Sequence, residues 1–74
     1  MTLETDVVSS NLKHICHDER STLTVYFHNG GIYEYYNVPV SVYYDLINAE
    51  SKGQALNKYV KMQNYPYKCI CKGY

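Results

Sequence analysis

Thr22-Leu23-Thr24-Val25-Tyr26-Phe27-His28-Asn29-Gly30-Gly31-Ile32-Tyr33-Glu34-Tyr35-Tyr36 is the stretch on which the fold turns. From Thr22 to His28 the side chains alternate in character at every step, the period of a strand with two unlike faces. Asn29-Gly30-Gly31 then offers residues that tolerate positive φ, and Ile32 to Tyr36 returns as the antiparallel partner. A two-residue Asn29-Gly30 loop would set Glu34 opposite Val25 and bury a carboxylate beside Leu23, Val25 and Phe27, which is costly. A three-residue Asn29-Gly30-Gly31 loop with a glycine bulge groups Tyr33 and Tyr35 with that apolar trio instead. Thr24, Tyr26, His28, Ile32, Glu34 and Tyr36 are then left opposite. Two rings, a histidine and an acid make that outer face too apolar to be idle, so it is expected to meet another subunit, the other strands or a ligand.

Working outward, Val7 to Cys16 has enough alternation for a further strand, although Leu12, His14 and Cys16 against Lys13, Ile15 and His17 leaves its core face ambiguous. Residues 1–6 read as a loose end, and His17 to Ser21 as a polar turn. On the other side, Asn37-Val38-Pro39 ends the sheet. Proline suits a first helical turn, so a helix is predicted from Pro39 to about Ala49, with Val42, Tyr43, Leu46, Ile47 and Ala49 inward. Ser51-x-x-Gln54 fits a capping box, and Ala55, Leu56, Tyr59 and Val60 carry a second helix to about Met62. Asn64-Tyr65-Pro66-Tyr67 is turn chemistry, after which residues 68–74 form a C-terminal extension or a short strand. The expected fold is α+β: one domain over 1–74, a small antiparallel sheet of three to four strands with two short helices packed on one face.

Composition narrows the function classes. At 74 residues the chain is near the small end of what one core stabilises, so association is expected. Ten tyrosines against one phenylalanine mean that much of the apolar surface carries a hydroxyl needing a partner. Seven Lys plus Arg balance seven Asp plus Glu, which argues against a long nucleic acid held by a basic face. No apolar run reaches membrane-spanning length and the first residues are acidic and polar, so no membrane is expected and the chain is assigned to a cytoplasm. Three cysteines preclude a complete disulfide framework within one chain. Cys69 and Cys71, like His14 and Cys16, would share a strand face, but Cys-x-Cys is shorter than zinc-knuckle spacing. Reduced thiols and no metal or other cofactor are the expectation.

Asn29-Gly30-Gly31-Ile32-Tyr33-Glu34-Tyr35-Tyr36-Asn37-Val38-Pro39, followed by Ala49-Glu50-Ser51-Lys52-Gly53 and Asn57, resembles the KTSC domain from about Ser9 to Tyr67. That family takes its name from the C-terminus of some lysyl-tRNA synthetases and is similar to many small stand-alone proteins of bacteria and phages. The resemblance implies a small α+β fold, no catalytic activity, and by association a link to RNA or nucleotides. The final residues, Cys69-Ile70-Cys71-Lys72-Gly73-Tyr74, extend past the usual pattern.

The start of the second helix is the candidate site. Capping explains Ser51 and Gln54, but not Lys52 or Gly53. Glycine lowers helix propensity there, and its missing side chain lets a ligand approach the first-turn N–H donors; close helix packing would explain it equally well. Asn57 and Lys61 follow Gly53 at i+4 and i+8, so one ridge presents bare backbone, an amide and an ammonium. With Tyr26 and Tyr36 as stacking rings, Ser51, Lys52, Gly53, Asn57 and Lys61 suit a small phosphorylated nucleotide. Nucleophile pairs from Cys16 with His14 or His17 lack an orienting third group, and GxxxxGK[ST] loops are absent, so no enzyme is expected. The expected function is a non-catalytic, nucleotide-binding homo-oligomer, of a kind suited, if phage-encoded, to sequestering cyclic dinucleotide signals of host defence in the host cytoplasm. An RNA- or tRNA-binding module and a structural interaction domain are the alternatives.

Overall fold

The computed structural model describes residues 2–72. Five antiparallel strands lie side by side in chain order: β1 (Leu3–Asp6), β2 (Leu12–His17), β3 (Leu23–Phe27), β4 (Gly31–Tyr35) and β5 (Tyr67–Lys72). Two helices, α1 (Val40–Asn48) and α2 (Lys52–Tyr59), and a 3-10 turn over Lys61–Gln63 join β4 to β5. The architecture is therefore α+β with an antiparallel sheet and two helices, as expected, but with five strands rather than three to four.

The hairpin has the expected faces. Leu23 pairs with Tyr35, Val25 with Tyr33 and Tyr26 with Ile32. The loop itself is His28-Asn29-Gly30, one residue earlier than predicted. Gly30, at φ 92°, donates its N–H to the Phe27 carbonyl at 3.0 Å, and Asn29 Oδ1 accepts the Gly31 N–H at 2.8 Å. Moving a three-residue loop by one shifts both strands together, so the side-chain parity is unchanged.

The extra strands come from the two ends. Residues 3–6, predicted as a loose end, pair with β2 from Leu3 opposite His17 to Asp6 opposite His14. Leu3 packs against the core and Thr5 Oγ1 lies 2.7 Å from the Tyr43 hydroxyl, so tertiary contacts order a segment whose own pattern is too short to announce a strand. Of the single strand predicted over Val7 to Cys16, only the part from Leu12 onward is formed, as β2, and residues 7–11 make the connection from β1. The register of β2 slips between Leu12 and His14, which makes Lys13 a bulge and brings Leu12 onto the face of Ile15 and His17. That bulge is the reason the strand's core face was ambiguous. At the other end, Gly73 and Tyr74 of the predicted extension lie outside the described residues, as does Met1 of the loose end.

The helices cover one face of the sheet. Leu12, Ile15, Leu23 and Val25 pack with Val38, Tyr43, Leu46, Ala55, Leu56 and Val60, all buried. Pro39 is the residue before α1 rather than its first turn, with an extended ψ of 149°. No helix among the described residues is long and apolar enough to cross a membrane.

Candidate functional site

Ser51 is extended, with φ −113° and ψ 102°, and its Oγ accepts the Gln54 N–H at 3.4 Å while its carbonyl takes the Ala55 N–H at 2.9 Å. The serine half of the predicted capping box is thus formed. Helix geometry leaves the N–H groups of Lys52 and Gly53 without an intrahelical acceptor, and the first turn carries no acidic side chain. Lys52 itself turns back, donating from Nζ to the Ala49 carbonyl at the end of α1.

Facing this helix start is the turn before β2. Ser9 Oγ accepts the N–H of Asn11 at 3.3 Å and of Leu12 at 3.4 Å, and the Asn11 carbonyl accepts the His28 N–H at 2.9 Å. Between turn and helix lies a cleft of about 520 Å³ lined by Ser9, Ser10, Asn11, Ser51, Lys52, Gly53 and Asn57, with Glu50 adding one carboxylate. A Cβ placed on Gly53 would meet only the Asn11 side-chain amide, at an ordinary 3.7 Å. Packing therefore does not require glycine there, which removes the close-packing explanation and leaves bare backbone facing the cleft.

The cleft continues. A second hollow of about 350 Å³, lined by Phe27, His28 and Asn29, shares Ser10 and Asn11 with the first. Sequence reasoning missed this wall because Ser9-Ser10-Asn11, a recognisable turn signal, was absorbed into a longer strand.

Three of the predicted site residues are elsewhere. Lys61 leaves the Gly53–Asn57 ridge because α2 stops at Tyr59: Val60 is fully buried in the core and adopts φ −122°, ψ −62°. The Lys61 ammonium lies 5.8 Å from the centre of the Phe27 ring instead. Tyr26 and Tyr36 belong to the outer sheet face. Tyr26 meets the His14 ring edge-on at 5.5 Å, and Tyr36 donates its hydroxyl to Glu34 Oε1 at 2.8 Å, the bond that chiefly pushes its phenol pKa up. Neither ring lines the cleft, and Phe27 is the aromatic residue that does.

The cysteines are also dispersed. Cys16 is on β2, while Cys69 and Cys71 are on β5 with β3 and β4 between. A second bulge sets Cys69 opposite Tyr33 but Cys71 opposite Ile32, so the two face opposite sides of the sheet and the expected shared face is lost. Burial, then the neighbouring Glu4 carboxylate, pushes the Cys16 thiol pKa up.

The KTSC domain matches residues 8–65, a span that contains both walls of the cleft. The chain belongs to the KTSC family. A lysine–tRNA ligase of Nostoc punctiforme is 47% identical over 53 residues, 70% of this chain but 9% of that protein. Another, of Trichormus variabilis, is 50% identical over 40 residues, 54% of this chain and 7% of that one. The chain thus spans less than a tenth of the length of these ligases. The crystal structure of a KTSC domain protein from Yersinia pestis has a TM-score of 0.84 at 25% identity, covering 96% of this chain and 100% of the other. Strands β1 and β5 lie outside the matched KTSC span.

Proposed function

We propose that this KTSC domain is a non-catalytic binder of a small phosphorylated nucleotide, with phosphate at the start of α2 and a base in the adjoining hollow. The observation that carries the reading is Gly53: a glycine in a first helical turn, required by neither packing nor φ, beside free N–H donors and a polar cleft. Two hollows joined at Asn11 suit a ligand of more than one nucleotide unit, cyclic or linear, and the corresponding role is sequestration of that nucleotide.

Calorimetric titration with cyclic and linear dinucleotides, for the parent and for Gly53→Val, tests this. The parent binds and Gly53→Val does not while keeping its fold; equal binding by both, or none by the parent, refutes it. The names of the lysine–tRNA ligase relatives favour a second reading, an RNA-binding module. Salt separates them: one or two phosphate contacts give a shallow fall of affinity with salt, and an extended RNA backbone a steep one.

A further inference from the structure

Strand β1 places two carboxylates on the outer face of the sheet, each directly across from a metal-ligating residue type. Glu4 is opposite Cys16 and Asp6 opposite His14. His14 bridges both acids: Nδ1 lies 2.5 Å from Asp6 Oδ1 and Nε2 lies 3.2 Å from Glu4 Oε1. The shorter contact, from Nδ1 to Asp6, fixes the orientation of the ring. Nε2 is thereby turned toward the Glu4 carboxylate, at a separation that a shared cation could span, and Cys16 lies directly across from Glu4.

We propose that Glu4, His14 and Cys16 form a transition-metal site of the zinc class, with Asp6 as the positioning residue that holds the His14 ring. Ligand atoms from the three lie within 4.8 Å of one another. A tetrahedral centre with bonds of about 2.0–2.3 Å sets its ligands roughly 3.3–3.8 Å apart, so a modest closing of side chains completes the triangle. The donor set of one sulfur, one imidazole nitrogen and one carboxylate oxygen suits zinc or cobalt and is too soft for magnesium or calcium. Carboxylate, imidazole and metal in line is also the usual outer-shell arrangement of a ligating histidine. Tyr26 packs on one side of the His14 ring. Glu4 and Asp6, with side chains 63% and 92% exposed, leave the other side to solvent, where water supplies the fourth position. On binding, the Cys16 Sγ–H bond breaks, its proton goes to solvent, and the sulfur pair bonds to the metal; no redox partner is needed. The Cys-x-Cys pair that the sequence brings to attention takes no part, and Glu4 and Asp6 stand outside the matched KTSC span.

Cobalt(II) and zinc(II) titration of chelator-treated protein decides the matter. One equivalent of cobalt is expected to give a thiolate charge-transfer band and tetrahedral d–d bands, bleached by one equivalent of zinc. Cys16→Ser abolishes the charge-transfer band, and Asp6→Asn retains it while weakening affinity by roughly 10–100-fold, the usual effect of losing an outer-shell partner. Circular dichroism of each metal-free variant checks that the sheet persists, and His14→Gln serves as a second ligand variant should Cys16→Ser unfold. A band that survives Cys16→Ser but is lost with Cys69→Ser or Cys71→Ser puts the metal on the other edge and overturns the proposal. So does an isotherm without one-to-one saturation.

Discussion

His17 Nε2 donates to the Val38 carbonyl at 2.8 Å across 21 residues of sequence, from a fully buried ring. The tautomer follows from the other nitrogen, since Nδ1 accepts the Glu19 N–H at 2.9 Å and the ring proton must be on Nε2. Val38 is gripped on both sides, its own N–H donating to the Ser21 carbonyl at 2.8 Å. The end of β2 thereby fixes the chain immediately before α1, and with it the layer that carries the cleft. His17→Phe keeps most of the buried volume but deprives the Val38 carbonyl of its ring donor. It should cost about 1–3 kcal/mol by urea unfolding, and His17→Ala about 2–5 kcal/mol. Equal stability of His17→Phe and the parent would reduce the strut to simple packing.

Asp18 gives the turn after β2 an acid limit. Its Oδ1 accepts the N–H groups of Thr22 at 3.0 Å, Arg20 at 2.8 Å and Ser21 at 3.0 Å, and these bonds hold its carboxyl below the ordinary 3.8. A folded-state pKa below the unfolded one means that the charged form stabilises the fold above the ordinary value, and that this contribution fades as pH falls through the folded value. Asp18→Asn should therefore melt below the parent from neutral pH down to about pH 5, with the gap closing below about pH 4. A gap of constant size at every pH would assign the effect to side-chain shape, not charge.

Assembly is the expectation attached to the outer face. Tyr26 and Ile32 are cross-strand neighbours there, both only half-buried by their own chain. Sedimentation at micromolar concentration should give a species heavier than the 8.6 kDa chain, and Tyr26→Glu should lower its mass without unfolding it. A parent that sediments only as the single chain removes this face as an association surface.

Legibility in the sequence follows from where each determinant lies. The β3–β4 faces could be read because Glu34 makes the wrong register costly, and the Ser51 cap because its partner Gln54 is three residues away. Strand β1 could not, since Leu3-Glu4-Thr5-Asp6 becomes a strand only through β2 and the Thr5–Tyr43 contact. Bulges at Lys13 and Ile70 reset the alternation in the middle of their strands and so concealed which residues share a face. Lys61 was misplaced for a tertiary reason, the burial of Val60. The second wall of the cleft, Ser9 to Asn11, is distant in sequence from Ser51, and no spacing could have joined them.

The start of α2 offers a test in which stability and binding move in opposite directions. Gly53→Ala adds a methyl that meets nothing closer than the Asn11 amide at 3.7 Å, so no strain opposes the gain in helix propensity. That gain is about 0.5–1 kcal/mol, which for a domain of this size raises the melting temperature by several degrees. The same methyl projects beside the first-turn N–H donors, where a phosphate would approach, and nucleotide affinity should fall. Ser51→Ala is the internal contrast: loss of its bond to the Gln54 N–H should cost about 1 kcal/mol of stability. Calorimetry and thermal melts on the two variants separate three cases. A more stable, binding-deficient Gly53→Ala means that the glycine is kept for the ligand at a cost in stability. A more stable variant that binds like the parent moves the phosphate away from this turn. A less stable one would mean that the backbone here answers to a packing demand that the 3.7 Å clearance does not suggest.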